Sequence, residues 1–485
     1  MKQLFIKILG LVVVLNLIVK TAWVFIDIKI QNVIGPGEYG IYFPLFQFTM
    51  LFYILLDMGV TNFNNRTIAQ HHQLVDKYFS NILGFKLILG VGYAAICLIV
   101  AFLLGYNARE FHILYFLIFN QLLLSFILYF RSNISGLQYY KTDSVVSILD
   151  KLFLVAITFF LLVDNSTRSQ FRIEWLVYSQ TVAYLITAII SFFIIFSKIS
   201  YFKFRVNWLY FKLIFKQSFP YALLILLMFF YSRLDSVMLE RLLSSEGNFQ
   251  AGIYAQSFRI YEYLNNYAWL FASLLLPMFS RMLKIKEPVG SLIKLSYTLL
   301  IIPSAIICLA CIFYARPIIT TIFEETTSFS PVVFQILMIS FLFLCTMYIF
   351  STLLTANANM KELNIIAGSA VALNISLNLI LIPKYLALGA AFSNLITQVF
   401  IAVSQVVVVY HIFHFKLEKS KLIAFIAFFA FYISSGIILV KIINLAWIIE
   451  FIVLVVVGAV GSFLFRLIDA RGLLKIIKSR EEAGN

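Results

Sequence analysis

The stretch FPYALLILLMFFYSRLDSVMLE, Phe219 to Glu240, decides how this chain is read. Its first half is an unbroken apolar run, yet the following two turns carry Arg233, Asp235 and Glu240. An ionisable side chain deep in hydrocarbon costs at least about 2.5–3.5 kcal/mol, so it needs a partner, a cavity or a route to the interface. The surrounding chain shows that this helix is bound for a membrane. Of 485 residues, 62% are hydrophobic and only 12% are charged, and the mean hydropathy is +0.96. A water-soluble surface of this size needs far more charge. Continuous runs such as IAFIAFFAFYISSGIILV, Ile423 to Val440, read as helices, because barrel strands alternate apolar and polar residues.

Working outward, spans are predicted at about 6–29, 41–60, 81–105, 112–130, 145–163 and 174–198. A second set follows at about 219–240, 252–278, 291–315, 331–356, 363–382 and 386–412, with two more near 420–440 and 446–466. The fold class is an all-α polytopic membrane protein of 14 transmembrane helices. With the N-terminus cytoplasmic, 23 of the 37 Lys and Arg residues fall on the cytoplasmic side, 8 on the outer side and 6 within spans. That asymmetry follows the alternation loop by loop and places both termini in the cytoplasm. It also accounts for the formal charge of +15 without nucleic acid. MKQLFIKILGLVVVLNLIVK at the N-terminus carries no small-x-small cleavage site and reads as a retained first helix.

The chain repeats itself. Lys20 is followed by Asp27 and then by GIY at Gly40; Arg233 is followed by Glu240 and then by GIY at Gly252, a shift of 212 residues. An offset of six spans preserves topology, so the halves are two parallel six-helix lobes related by a pseudo-two-fold along the membrane normal, plus two C-terminal helices. The expected domains are an N-lobe at 1–198, a basic cytoplasmic connector at 199–218 and a C-lobe at 219–412. The last two helices occupy 413–466, and a basic cytoplasmic tail fills 467–485. Charges on the seam between two such lobes would face water.

The intramembrane charges divide accordingly. Lys86, Lys151 and Lys294 lie within two turns of a span end and can snorkel. Asp57 sits near a span end as a structural residue. Lys20 and Asp27 are about 20° apart around their helix but about 10 Å apart along it, so they share a face without pairing. Arg233 and Glu240 repeat that relation. Arg233 and Asp235 point to nearly opposite sides, so one of them needs a partner from another helix. Arg259 and Glu262 are spaced to pair locally. Two readings stand: buried ion pairs that only fix packing, or a cationic cavity in which Lys20, Arg233 and Arg259 meet an anionic group. In the second, Asp27, Asp235, Glu240 and Glu262 balance charge or carry a coupling ion. Asn120, Gln121, Asn265, Asn266, Trp269 and Gln398 suit sugar contacts and equally suit helix–helix hydrogen bonding.

Cys97, Cys308, Cys311 and Cys345 all lie in apolar runs, and the CxxC of Cys308 and Cys311 has no second pair, so neither a metal site nor a cofactor is expected. No GxxxxGK[ST], HExxH or GxSxG occurs, and no connector exceeds about twenty residues. The chain therefore reads as a non-enzyme. An intramembrane glycan polymerase or acyltransferase is the enzymatic alternative.

Three segments carry a family resemblance. IGPGEYGIYFPLFQFTMLFYILLDMGV (Ile34–Val60), LLTANANMK (Leu353–Lys361) and NLILIPKYLALGAAFSNLITQ (Asn378–Gln398) resemble the second, tenth and eleventh-to-twelfth helices of polysaccharide (Wzx-type O-antigen and capsule) flippases. That family belongs to the multidrug/oligosaccharidyl-lipid/polysaccharide, or MOP, superfamily. The resemblance implies a two-lobed transporter of the bacterial inner membrane with a cationic cavity. Its substrate would be an undecaprenyl-pyrophosphate-linked oligosaccharide, moved to the outer leaflet by alternating access, with H+ or Na+ coupling. Lys20, Arg233 and Arg259 carry over by location only. Helices thirteen and fourteen would supply a groove for the lipid tail. A monomer is expected, working beside membrane lipids and other polysaccharide-assembly proteins. A multidrug exporter of the same superfamily is the nearest rival, and a cationic cavity would repel cationic drugs.

Overall fold

The computed structural model describes residues 2–199, 201, 208–414, 419–442 and 445–467. The tail at 467–485, beyond its first residue, lies outside the described residues, as do 200 and 202–207 of the basic connector. Among the described residues every regular element is helical. The elements are α1 (Lys2–Leu51), α2 (Val60–Gln70), α3 (Val75–Leu103), α4 (Ala108–Gly136), α5 (Tyr140–Val163), α6 (Asn165–Arg168), α7 (Ile173–Phe196) and α8 (Trp208–Leu242). There follow α9 (Gly247–Lys284), α10 (Gly290–Ser296), α11 (Ile302–Phe313), α12 (Ala315–Ile322), α13 (Ser330–Ala356), α14 (Met360–Phe413), α15 (Lys419–Ile442) and α16 (Trp447–Leu464). Ten of these helical stretches are long and apolar enough to cross a membrane, and a broken pair spanning Ile18–Leu51 and Tyr53–Gln70 makes an eleventh.

The longest two helices are each two helices end to end. In α1 the break is at Gly35 (φ 75°, ψ 168°), followed at once by Pro36. Glycine tolerates the positive φ, and proline has no N–H to continue the ladder. In α14 the break is at Leu386 (φ 56°, ψ −134°), three residues after Pro383. A leucine there is strained. With both breaks counted, a helical segment stands at each of the fourteen predicted positions, and the multi-pass membrane architecture is confirmed.

Two compact units emerge from the packing: Met1–Gln256 with Ile375–Ala390, and Ser257–Asn374 with Ala391–Asn485. In the first, α4 lies along α7, while α1 packs on α8 and α5. An aromatic and aliphatic core of Phe79, Tyr129, Phe130, Ile82, Ile134 and Ile195 knits α3, α4 and α7. In the second, α11 packs on α13 and α16, and α15 pairs with α16.

The first unit also explains the repeated GIY. A Cβ on Gly40 would fall 1.7 Å from the Asn248 carbonyl oxygen, and one on Gly252 would fall 1.9 Å from the Pro36 carbonyl oxygen. The 212-residue shift maps Gly40 onto Gly252 and Pro36 onto Asn248. The contact is therefore its own image, as a two-fold relation between repeats requires. Two backbones cross here with no side chain between them, which only glycine permits.

One snorkelling expectation fails. Lys86 does not reach an interface: its Nζ is buried, 2.9 Å from Asp57 Oδ1 and 3.1 Å from the Leu56 carbonyl. The chain between α1 and α2 leaves the helical ladder at Met58 (φ 44°) and Gly59 (φ 82°), and the Lys86 ammonium satisfies the carbonyl freed there. Asp57 is held in turn by Thr61, which donates through both its N–H and its hydroxyl. Lys86→Met should cost about 2 kcal/mol, since it strands a mostly buried carboxylate that keeps its Thr61 donors. Thermal unfolding in detergent measures it, and adding Asp57→Leu should recover part of the loss. A Lys86→Met variant as stable as the parent would refute the assignment.

Candidate functional site

A cavity of about 280 Å³ opens in the first unit among α1, α4, α5 and α8. Its polar lining is Tyr53, Gln121, Arg131, Ser147 and Asp150, and Phe229 closes the α8 side. Helical periodicity places these groups: Gln121 and Arg131 recur on one face of α4, and Val146, Ser147 and Asp150 recur on one face of α5. The surrounding charge is mainly positive. Arg131 Nε donates to Asp143 Oδ1 at 2.8 Å. Lys151 Nζ lies 3.7 Å from Asp150 and donates to Tyr184 Oη at 3.1 Å, with its charge 5.1 Å from the Tyr184 ring centre. Lys20 is exposed and lies within electrostatic range of both Lys151 and Asp150. The Arg233 guanidinium stacks 5.5 Å from the ring centre of Phe229 and donates to buried Gln47 of α1. Arg131 is thus paired with Asp143, Lys151 and Lys20 lie near Asp150, and Arg233 stands against the Phe229 wall.

Of the expected residues Gln121 lines the cavity, Lys20 lies within electrostatic range of Asp150 in its lining, and Arg233 stands against its Phe229 wall. Asp27 is buried away from Lys20 and accepts from Tyr39 Oη at 2.9 Å and Gln31 Nε2 at 3.2 Å. Arg233 and Asp235 do turn to different helices: Asp235 is buried and accepts from Asn378 Nδ2 at 2.8 Å and Tyr254 Oη at 3.3 Å. Glu240, two turns beyond Arg233, is engaged by Arg241. Arg259 and Glu262 pair at 3.0 Å on α9, within the second unit. Asn120 and Gln121 are buried, donating to Val177 O and Thr49 Oγ1, both at 3.4 Å. Asn265 accepts from Tyr348 Oη at 2.8 Å; Asn266 and Trp269 are exposed; Gln398 is buried. Of these amides only Gln121 lines the cavity.

Arg131, Asp150 and Lys151 were missed. Arg131 falls just past the predicted span at 112–130, and Lys151 reads as a snorkelling residue. The available signal was Asp150 beside Lys151 inside an apolar span, since a short carboxylate cannot snorkel as a lysine does. Together these groups can bind a compact anion. They offer no nucleophile–base pair, and among the described residues no cluster of His, Cys, Asp and Glu could hold a metal ion.

The family model for polysaccharide biosynthesis proteins matches residues 7–283, more than half of the chain. The chain belongs to that family. No curated protein sequence matches it. Among solved structures it is similar to the lipid II flippase MurJ in an inward closed conformation, with TM-score 0.71 at 16% identity over 96% of this chain and 99% of that one. An outward-facing multidrug resistance MATE transporter of the MOP superfamily superposes with TM-score 0.57 at 14% identity, covering 82% and 93%. A MOP transporter from Pyrococcus furiosus, noted for the reverse polarity of its binding pocket, gives TM-score 0.56 at 14% identity with the same coverage. At such identities these likenesses establish the fold. This polysaccharide biosynthesis protein has the fold of those transporters, and the membrane and polysaccharide-biosynthesis expectations stand.

Proposed function

We propose that this protein flips an undecaprenyl-pyrophosphate-linked oligosaccharide from the cytoplasmic to the outer leaflet of a bacterial inner membrane. Its termini lie in the cytoplasm, as the Lys and Arg asymmetry supports. The observation that carries the reading is one cavity inside a membrane-spanning unit with Arg131 in its lining, Lys20 and Lys151 near its Asp150 and Arg233 against its Phe229 wall. Diphosphate is the compact, doubly charged anion that such a cluster recognises, and guanidinium forks match its oxygens. At about 280 Å³ the cavity suits a diphosphate or a single sugar rather than a whole repeat unit. The isoprenoid would stay in lipid. Export of cationic drugs, the rival use of this fold, is disfavoured because like charge repels.

Deleting the protein should cause lipid-linked oligosaccharide to accumulate in the cytoplasmic leaflet, and complementation with the parent should clear it. Complementation with Arg131→Ala should be about fivefold to tenfold poorer, because the anion loses one charge-assisted contact. Normal surface glycan in the deletion strain, with no second flippase present, would refute the function. Full rescue by both Arg131→Ala and Arg233→Ala would refute the cavity assignment.

A further inference from the structure

A second ionised cluster lies where α8 ends against the start of α4. Asn107 and Glu110 form a reciprocal cap on α4: Glu110 N–H donates to Asn107 Oδ1 at 3.0 Å, and Asn107 N–H donates to Glu110 Oε2 at 2.7 Å. The other oxygen, Glu110 Oε1, accepts from Arg241 Nη2 at 2.8 Å. The same Arg241 Nη2 also donates to Glu240 Oε1. The guanidinium lies 4.2 Å from the ring centre of Tyr106, and its Nη1 reaches the Leu104 carbonyl at 3.5 Å.

The charge count does not close. Two carboxylates share one guanidinium, and both are secluded: the side-chain exposures of Glu110 and Glu240 are 7% and 1%. The neighbouring charges do not supply the missing cation. Arg109 is turned to Glu38 and Glu174, at 2.7 Å from each, and Glu246 is exposed beyond the end of α8. The hydrogen bonding is equally incomplete. Glu240 Oε2, Tyr106 Oη and Arg241 Nε are all buried with no hydrogen-bond partner. An excess negative charge and an orphaned carboxylate oxygen at one point are the two features that a bound proton removes together.

We propose that Glu110 and Glu240 form a carboxylate pair that binds one proton beside Arg241, and that this pair is the coupling site of the transporter. The step is a simple addition: a proton from water joins Glu240 on Oε2, the carboxylate becomes a carboxylic acid, and the cluster passes from a charge of −1 to neutral. Glu110 stays ionised as the counter-ion of Arg241, held by the Asn107 N–H. Such a pair titrates as a unit, so its apparent titration depends on both carboxyls although the proton sits on Glu240. In the orientation set by the Lys and Arg asymmetry, Arg241 is on the outer side, so the proton enters from the outer face. The neutral cluster can stay closed in a dry surrounding, whereas the ionised one draws in water. Asp27, Asp235 and Glu262 are less suited to this role, because each already has donors or a cation of its own.

The coupling role rests on the transport reading, but the site can be tested with protons alone. Infrared difference spectra of the purified, reconstituted protein between about pH 5 and about pH 8 should show a protonated-carboxyl band at the acid end. The band should be lost in Glu240→Gln and retained in Glu262→Gln. Glu110→Gln should also lose it, because removing the second carboxylate leaves a one-to-one pair with Arg241; this variant serves if Glu240→Gln does not fold. Absence of a titrating band in the parent, or its survival in both Gln variants, overturns the site while leaving the flippase reading intact. A band that behaves as expected alongside normal surface glycan in the deletion strain would overturn the flippase reading and leave the site intact.

Discussion

Gly252→Val is expected to abolish the yield of folded protein. The new Cβ would sit 1.9 Å from the Pro36 carbonyl oxygen and 2.5 Å from its carbon, both backbone atoms that no rotamer change can move aside. Relief requires separating α9 from the second half of α1, and that separation opens the reciprocal contact at Gly40 as well. Overpacking usually costs about 1–3 kcal/mol, but here two helix backbones must part, so a cost above about 4 kcal/mol is expected. Gly40→Val should behave alike, with its Cβ 1.7 Å from the Asn248 carbonyl oxygen. The control is Gly37→Ala, where nothing lies within 4 Å of the added carbon. Size-exclusion profiles and melting temperatures in detergent decide the matter. A monodisperse Gly252→Val protein that melts with the parent would show that the helices do not cross in this way.

Arg233→Ala is expected to lower flipping between tenfold and hundredfold while leaving the fold intact. A hydrogen bond to a charged group contributes about 1.5–3 kcal/mol, which corresponds to that range when a substrate anion loses it. The fold should survive because Arg233 is only partly buried and its contact with Gln47 is one of many between α8 and α1. Arg233→Lys keeps the charge but not the planar stack on Phe229 or the fork, so it should fall between the parent and the alanine variant. The readout is lipid-linked oligosaccharide in the outer leaflet of a complemented deletion strain, normalised to membrane protein level. An alanine variant that transports like the parent would remove Arg233 from the site, and with it the role of the Phe229 wall.

Much of this architecture is legible in the linear pattern, because the bilayer imposes it. Apolar runs of about twenty residues, the alternation of Lys and Arg between loops and the 212-residue echo are local or periodic properties that need no coordinates. The breaks at Gly35–Pro36 and near Pro383 are legible for the same reason, since backbone sterics act within a few residues. The site is less legible. Lys20 and Arg233 stand out because they interrupt apolar spans. Lys86 looks alike, yet its charge is consumed by Asp57 and a freed carbonyl thirty residues away. Position along the span says how hard it is to escape to water, but not whether a partner makes escape unnecessary.

The sequence by itself determined that this chain crosses a membrane many times and that its halves are related. Those properties follow from solvation and from chain periodicity. Only the tertiary structure decided which charges meet: that Lys151 and Lys20 lie near Asp150 while Arg131 pairs with Asp143, that Asp27 and Asp235 are satisfied by tyrosine and amide donors, and that Glu240 shares Arg241 with Glu110. The reason is the range of the forces. Burial in hydrocarbon is felt residue by residue, whereas the fate of a buried charge depends on atoms within about 4 Å that come from other helices. The repeated GIY spans both kinds of knowledge. Its recurrence is visible in the letters, and the reason for its glycine is visible only where Gly40 and Gly252 bring two backbones into contact.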